Sequence, residues 1–160
     1  MKIDKFARHK STHAYLAAKY PCVLMYIIST LLLFIPYLGL LAWLLSFFFM
    51  YKEQDSKFLR LHAAQSGFIF LFYSIINLSL KIIADIILSR ATSSRSETAF
   101  INALQVQDNL NQTIRIIQVV ILLINAVQII LAYNYRFWNI PLLSSLARRL
   151  EKKTDSGPLR

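Results

Sequence analysis

The side chains that could do chemistry are few, and most stand inside apolar runs. Lys81 and Asp85 lie four residues apart in an otherwise Ile- and Leu-rich stretch. On a helix that spacing lets them pair. Ser74 and Asn77 fall on the same side as Lys81 and Asp85, within about 80° at 100° per residue. A second set, Gln118, Asn125 and Gln128, shares one side of a later apolar run, with Arg115 just before them. Polar side chains in lipid are expensive and face protein or a water path. Matched by depth on antiparallel helices, Asp85 is expected level with Arg115 and Gln118, and Asn77 level with Asn125. The two stripes should then face each other, as polar glue or as the lining of a solute or proton path.

Other constellations carry less. His62 and Gln65 share a helical face and suit interfacial hydrogen bonds or a proton relay. His9 and His13 have the i, i+4 spacing of metal ligands, but no third ligand is near. No nucleophile, base and orienter can be assembled, no carboxylate pair lies in an apolar run, and no phosphate-binding glycine loop occurs. Cys22 is the one cysteine, so neither an intrachain disulfide nor a cysteine metal site is possible. No catalytic residue, metal site or cofactor is expected, and the chain reads as a non-enzyme.

The elements that hold these residues read as membrane helices. The chain has 160 residues, is 56% hydrophobic and carries a net charge of +10. Three long blocks almost lack charge, which argues for lipid as the solvent. The basic residues flank those blocks. They should set orientation and touch anionic lipid headgroups rather than nucleic acid.

Residues 1–20 are basic and polar, and precede an apolar run too long for a cleaved signal. Cys22 to Tyr51 would be about 45 Å long as one helix, too long for a core of about 30 Å. Pro36 and Gly39 interrupt it, so it is either one kinked helix or a hairpin turning near 35–37. Charge counting favours the hairpin. With both termini inside, the inner face collects Lys52, Lys57, Arg60, Arg136 and both basic ends, and the outer face keeps only Arg90, Arg95 and Arg115.

The expected fold is therefore an all-α membrane protein with four transmembrane helices, the first two a short hairpin, and amphipathic interfacial helices. The crossings are placed at about 21–35, 36–51, 64–88 and 114–136, within a membrane domain of 21–137. Residues 89–113 read as an outer loop carrying a short surface helix. Asp55 or Ser56 should cap the third helix, with Lys57 and Arg60 reaching phosphates. Residues 138–160 read as a basic amphipathic helix and tail on the inner leaflet. The expected location is the inner (cytoplasmic) membrane, multi-pass, with both termini cytoplasmic.

The run from Lys52 to Gln65, K-E-Q-D-S-K-F-L-R-L-H-A-A-Q, follows a block broken by Pro36 and Gly39 and leads into a long helix. In Lys52, Glu53, Phe58, Arg60, His62, Ala63 and Gln65 it resembles the small membrane protein family that includes the twenty-kilodalton Tic component of the chloroplast inner envelope and its bacterial relatives. That resemblance covers about residues 20–150. It implies four crossings with both ends on one side, no catalytic residues and, for the chloroplast members, a protein-import complex. A scaffold or accessory subunit with a protein partner or a second copy is then expected. A small transporter or channel subunit is the alternative.

Overall fold

The computed structural model describes residues 2–7, 17–35, 38–53, 55–94 and 96–155. His9, His13, Pro36, Tyr37 and Arg95 lie outside the described residues, and so do the readings that rest on them. Strand β1 (Lys2–Lys5) is followed by helices α1 (Lys19–Leu32) and α2 (Ala42–Lys52), the latter preceded by one 3-10 turn at Leu38–Leu41. Two long helices come next, α3 (Lys57–Ser93) and α4 (Glu97–Tyr133), then strand β2 (Arg136–Asn139) and helix α5 (Leu143–Asp155). The described fold is all-α but for one short ladder, and α3 and α4 are long and apolar enough to cross a membrane.

Residues 22–51 form a hairpin, not one kinked helix. Ser29 and Ser46 place their hydroxyls 3.4 Å apart, whereas a continuous helix would separate them by about 25 Å. Gly39 sits in the turn because a Cβ there would lie 3.2 Å from the Leu32 carbonyl oxygen and the Leu33 Cα. The hairpin packs on α3 at Gly67, where an added Cβ would meet the Phe47 ring at 2.8 Å. Glycine lets α2 and α3 approach as small residues do at helix interfaces in lipid.

The expected loop at 89–113 is helix. Thr92 and Ser93 hydroxyls donate back to the carbonyls four residues earlier. Ser96 then caps α4 by accepting from the Ala99 N–H. This tight turn fixes the register of α3 against α4. Tyr73 and Gln118, nearly equidistant from the turn, hydrogen-bond at 2.8 Å. Beyond them the buried seam consists of Asn77, Ala84 and Ala91 against Ala103 and Ile114. The seven-residue steps on α3 are those of a coiled coil.

Residues 1–20 read as a basic, polar segment, and their described part begins as a strand. β1 pairs antiparallel with β2, Lys2 opposite Asn139 and Lys5 opposite Arg136. The Phe6 N–H continues the pairing to the Tyr135 carbonyl, and Tyr135 itself turns the chain at φ 54°. The strand nearest the chain start and the segment after α4 therefore share one end of the bundle. This is called the ladder end here, and Ser94–Ser96 marks the turn end. One core cluster lies at the ladder end around Met25, Tyr26, Phe58 and Tyr135. A second lies farther along, around Phe70, Tyr73 and Ile121.

Candidate functional site

Three polar layers cross the bundle. At the ladder end, Ser56 caps α3 as expected, accepting from the Leu59 N–H at 3.1 Å. The Glu53 carboxylate accepts from the Ser56 N–H at 2.9 Å. Arg60, expected to reach lipid phosphates, instead turns inward. Its guanidinium donates to Glu151 of α5 at 3.1 Å, with both side chains buried. Lys57, 60% exposed, approaches the same carboxylate at 3.8 Å. Ala147 and Ser144, one and two turns before Glu151, are also buried, while Leu142 is exposed. α5 is thus a helix docked on α3 through its small residues and one carboxylate.

His62 belongs to this layer. It lies on the second turn of α3, before the apolar stretch that begins near residue 64. The Arg136 carbonyl can only accept, so Nε2 carries the proton and donates to it at 3.0 Å. Nδ1 then accepts from the Tyr26 hydroxyl at 3.0 Å. Phe58 and Phe137 pack edge-on against the ring. Burial lowers the His62 pKa to about 4, against a smaller opposing effect of the Arg136 carbonyl. A neutral imidazole is what both bonds require. His62 therefore ties α1 to α3 and to the start of β2.

The middle layer is a chain of hydroxyls and amides. Ser46 of α2 bridges Ser29 of α1 and Ser66 of α3, at 3.4 and 3.0 Å. The Asn125 side-chain N–H of α4 donates to the Thr30 hydroxyl of α1 at 3.0 Å. Asn125 was expected to face Asn77. The tight turn at Ser94–Ser96 shifts the register, leaving Asn125 level with Ser66 and turned to α1. Gln65 and Gln128 are fully buried, and neither amide finds a hydrogen-bond partner among the described residues.

The third layer is a cleft of about 430 Å³ near the level where the α1–α2 hairpin turns. Tyr73, Asn77 and Lys81 of α3 and Arg115 and Gln118 of α4 line it, with Phe34 and Gly39 of the hairpin tip. The Tyr73 hydroxyl accepts from Gln118 at 2.8 Å and from Asn77 at 3.0 Å. Asn77 is 6% exposed, and its Oδ1 has no partner among the described residues. Asp85 does not join Arg115. The register sets it level with Val106, where it is exposed beside Ile82, Ile86 and Arg90. Among the described residues it makes no ion pair, so the expected Lys81–Asp85 pair does not form. Lys81 and Arg115, both exposed, instead share the mouth of the cleft.

The structure thus gathers Asn77, Lys81, Arg115 and Gln118 at one place, and Lys57, Arg60 and His62 at another. Gln65, Asn125 and Gln128 lie in the interior between. Tyr26, Tyr73, Thr30, Glu151 and the serine chain escaped the sequence reading. Only Glu151 left a signal, as an acid set among Arg148, Arg149, Lys152 and Lys153. Among the described residues no three His, Cys, Asp or Glu are placed to hold a metal ion. Compared with family models, with curated proteins and with solved structures, the chain finds no match.

Proposed function

We propose that this chain is an integral membrane protein with four crossings and no catalytic activity. It acts as a scaffold or accessory subunit that presents the α3–α4 hairpin to a partner. One observation carries the reading. Each long helix has 37 residues, about 55 Å, against a hydrocarbon core of about 30 Å. On α4 eight of the eleven residues from Gln105 to Arg115 are polar, and the run is largely exposed. Lipid contact should therefore end near Arg115, and the stretch beyond should project into water. That projecting part still exposes Phe100, Ile101 and Leu104. Apolar groups held on a rigid rod above a membrane suit a protein contact.

The four-crossing topology is part of the same proposal. The short hairpin reaches from the ladder end to the level of the cleft, the depth at which the surface of α4 turns polar. The basic residues gather at the ladder end, which would make it the cytoplasmic face of the inner membrane. The likeness of Lys52–Gln65 to the Tic-containing family suggests protein translocation as the setting. The test uses mild detergent extraction with photo-crosslinkers at Phe100 and Leu104. A specific adduct lost in Phe100→Asp/Leu104→Asp is expected; a clean uncrosslinked monomer would overturn the scaffold reading. Single cysteines at 54, 100 and 155 in a Cys22→Ala background test the topology. Residues 54 and 155 should label from one side and 100 from the other.

The unpartnered amides of Gln65 and Gln128 favour a second reading, a small transporter or channel subunit. Solute flux in liposomes, abolished by Asn125→Leu and Gln128→Leu, would establish it over the first.

A further inference from the structure

We propose that the face of α3 turned away from α4 pairs with the same face of a second copy of this chain, in parallel, as a two-stranded coiled coil. The parallel direction rests on the membrane reading above, because two copies inserted alike point the same way. Ile75, Ser79, Ile82, Ile86, Ser89 and Ser93 recur on this face at alternating steps of four and three, and all six are exposed. At 100° per residue they form a stripe about 80° wide, centred opposite Ala84 of the seam with α4. That is the spacing of a coiled-coil contact. At the level of Ile82 and Ile86, α4 presents the largely polar run from Gln105 to Arg115. Neither lipid nor water suits both helices there, and an apolar stripe beside a polar surface suits a protein contact.

Charge and shape both name a second copy as the occupant. Asp85 and Arg90 flank the stripe on opposite sides. Both are exposed, and neither makes an ion pair among the described residues. They stand just before Ile86 and just after Ser89, the flanking positions whose charges set partner and direction in a coiled coil. In a parallel pair, a residue flanking the seam faces the one five positions farther on in the other helix. Asp85 of each copy then meets the partner's Arg90, twice about a two-fold axis. In an antiparallel pair like positions would face each other, and the charges would repel. One heptad nearer the ladder end the same two positions hold Leu78 and Ile83, both exposed, so the pairing there is apolar. The shape agrees. Ile82, Asp85, Ile86 and Ser89, with Arg90 beside them, line a groove of about 430 Å³. Those four are the set that forms one hole of a coiled coil, and the partner's Ile86 is the knob that would enter it. The small side chains of Ser79 and Ser89 let the two helices approach closely.

Fluorescence energy transfer between copies of the full chain tests the pairing. The copies are labelled through Asp155→Cys in a Cys22→Ala background and reconstituted in phosphatidylcholine liposomes at falling protein-to-lipid ratio. The otherwise unchanged chain should dimerise. Asp85→Arg should weaken the dimer about tenfold or more, since two ion pairs are lost and like charges take their place. Arg90→Asp should do the same. Asp85→Arg/Arg90→Asp should restore the dimer, and that restoration would exclude misfolding as the cause of the single losses. In the unlabelled Cys22→Ala chain, Ile86→Cys should form an intermolecular disulfide under copper phenanthroline much faster than Ile116→Cys, although Ile116 of α4 is the more exposed. A charge swap no better than the single changes, or equal crosslinking at 86 and 116, would overturn the proposal. A chain monomeric at every dilution would also overturn it and leave the face to lipid. Phe100→Asp/Leu104→Asp should not change the energy transfer. If it abolished transfer, the pairing would run through α4 and the proposal would fall. The adduct at Phe100 and Leu104 is scored separately, so either reading can fail without the other.

Discussion

Removing Glu151 should undock α5. Its carboxylate is 1% exposed and meets the buried Arg60 guanidinium at 3.1 Å. Taking away one partner of a buried pair leaves the other charge desolvated, which costs about 3–5 kcal/mol. The exposed Lys57 contributes little to this, because water screens it. Glu151→Ala should therefore lower stability by about 3 kcal/mol or more, and Arg60→Ala by a similar amount. Arg60→Met/Glu151→Leu removes both charges and keeps the volume. It should cost far less than the sum of the single changes, with a coupling of at least about 2 kcal/mol. Thermal unfolding in detergent measures each variant. Limited proteolysis at 142–155 reports α5 separately, since an undocked helix is cut and a docked one is not. Additive single and double changes would show that Arg60 and Glu151 do not meet as described. Loss of global stability without faster cleavage of α5 would show that the pair holds something other than this helix.

Acidification should weaken the ladder end. His62 falls from an ordinary 6.5 to about 4 in the fold, so the unfolded chain binds the extra proton between those values. Stability is then full above pH 6.5 and falls as pH drops toward 4, by roughly 3 kcal/mol in all. His62→Gln should flatten that part of a melting-temperature profile, and an unchanged slope would refute the assignment. Gly67→Ala should destabilise by about 1–2 kcal/mol, because crowding the Phe47 ring outweighs the helix-propensity gain. Phe47→Leu in the same chain should restore the loss, and no rescue would place the strain elsewhere. Gln65→Leu and Gln128→Leu should each be neutral or stabilising by about 1 kcal/mol, since each removes a buried unpartnered amide. A clear loss of melting temperature in both would mean that the amides are satisfied in the folded protein.

How much was legible can be judged from particular residues. The turn inside 22–51 was visible because Pro36 and Gly39 stand at the centre of an over-long apolar run. Ser56 was visible as a cap because it precedes a helical pattern with no competing breaker. The polar stripes were visible as stripes, but their partners were not. Depth matching assumed a loop at 89–113, since Arg90, Arg95, Glu97 and Asp108 looked solvated. Solvation does not exclude helix, and Ala91, Ala99 and Ala103 were the contrary signal. Once the turn narrows to Ser94–Ser96, each α3 residue meets a partner nearer the turn than expected. Asp85 loses Arg115, and Tyr73 gains Gln118. Arg60 was misread because charge beside an apolar block usually marks a headgroup contact. Its partner lies 91 residues away, and no local pattern encodes that. The β1–β2 pairing is equally non-local, joining residues over 130 positions apart.

In the membrane proposed above, the distribution of polar ties would follow from the solvent. In lipid, apolar faces gain little by choosing one neighbour over another, because acyl chains are as apolar as leucine. Hydrophobic pattern can select helices, but it does not fix which turn of one lies beside which turn of the next. Register must come from groups that lipid cannot satisfy. In this chain they occur where two or more helices must agree: Tyr26–His62, Ser29–Ser46–Ser66, Thr30–Asn125 and Tyr73–Gln118. Each joins different helices, and together they tie α1, α2, α3 and α4 from the ladder end to the cleft. Past the cleft, no hydrogen bond between α3 and α4 is described and the alanine seam takes over. There α3 and α4 have only each other, and the tight turn already sets their register. A hairpin that needs no further polar ties leaves its remaining polar and apolar groups free to meet something else. That is why its exposed Phe100, Ile101 and Leu104 are the place to look for a partner.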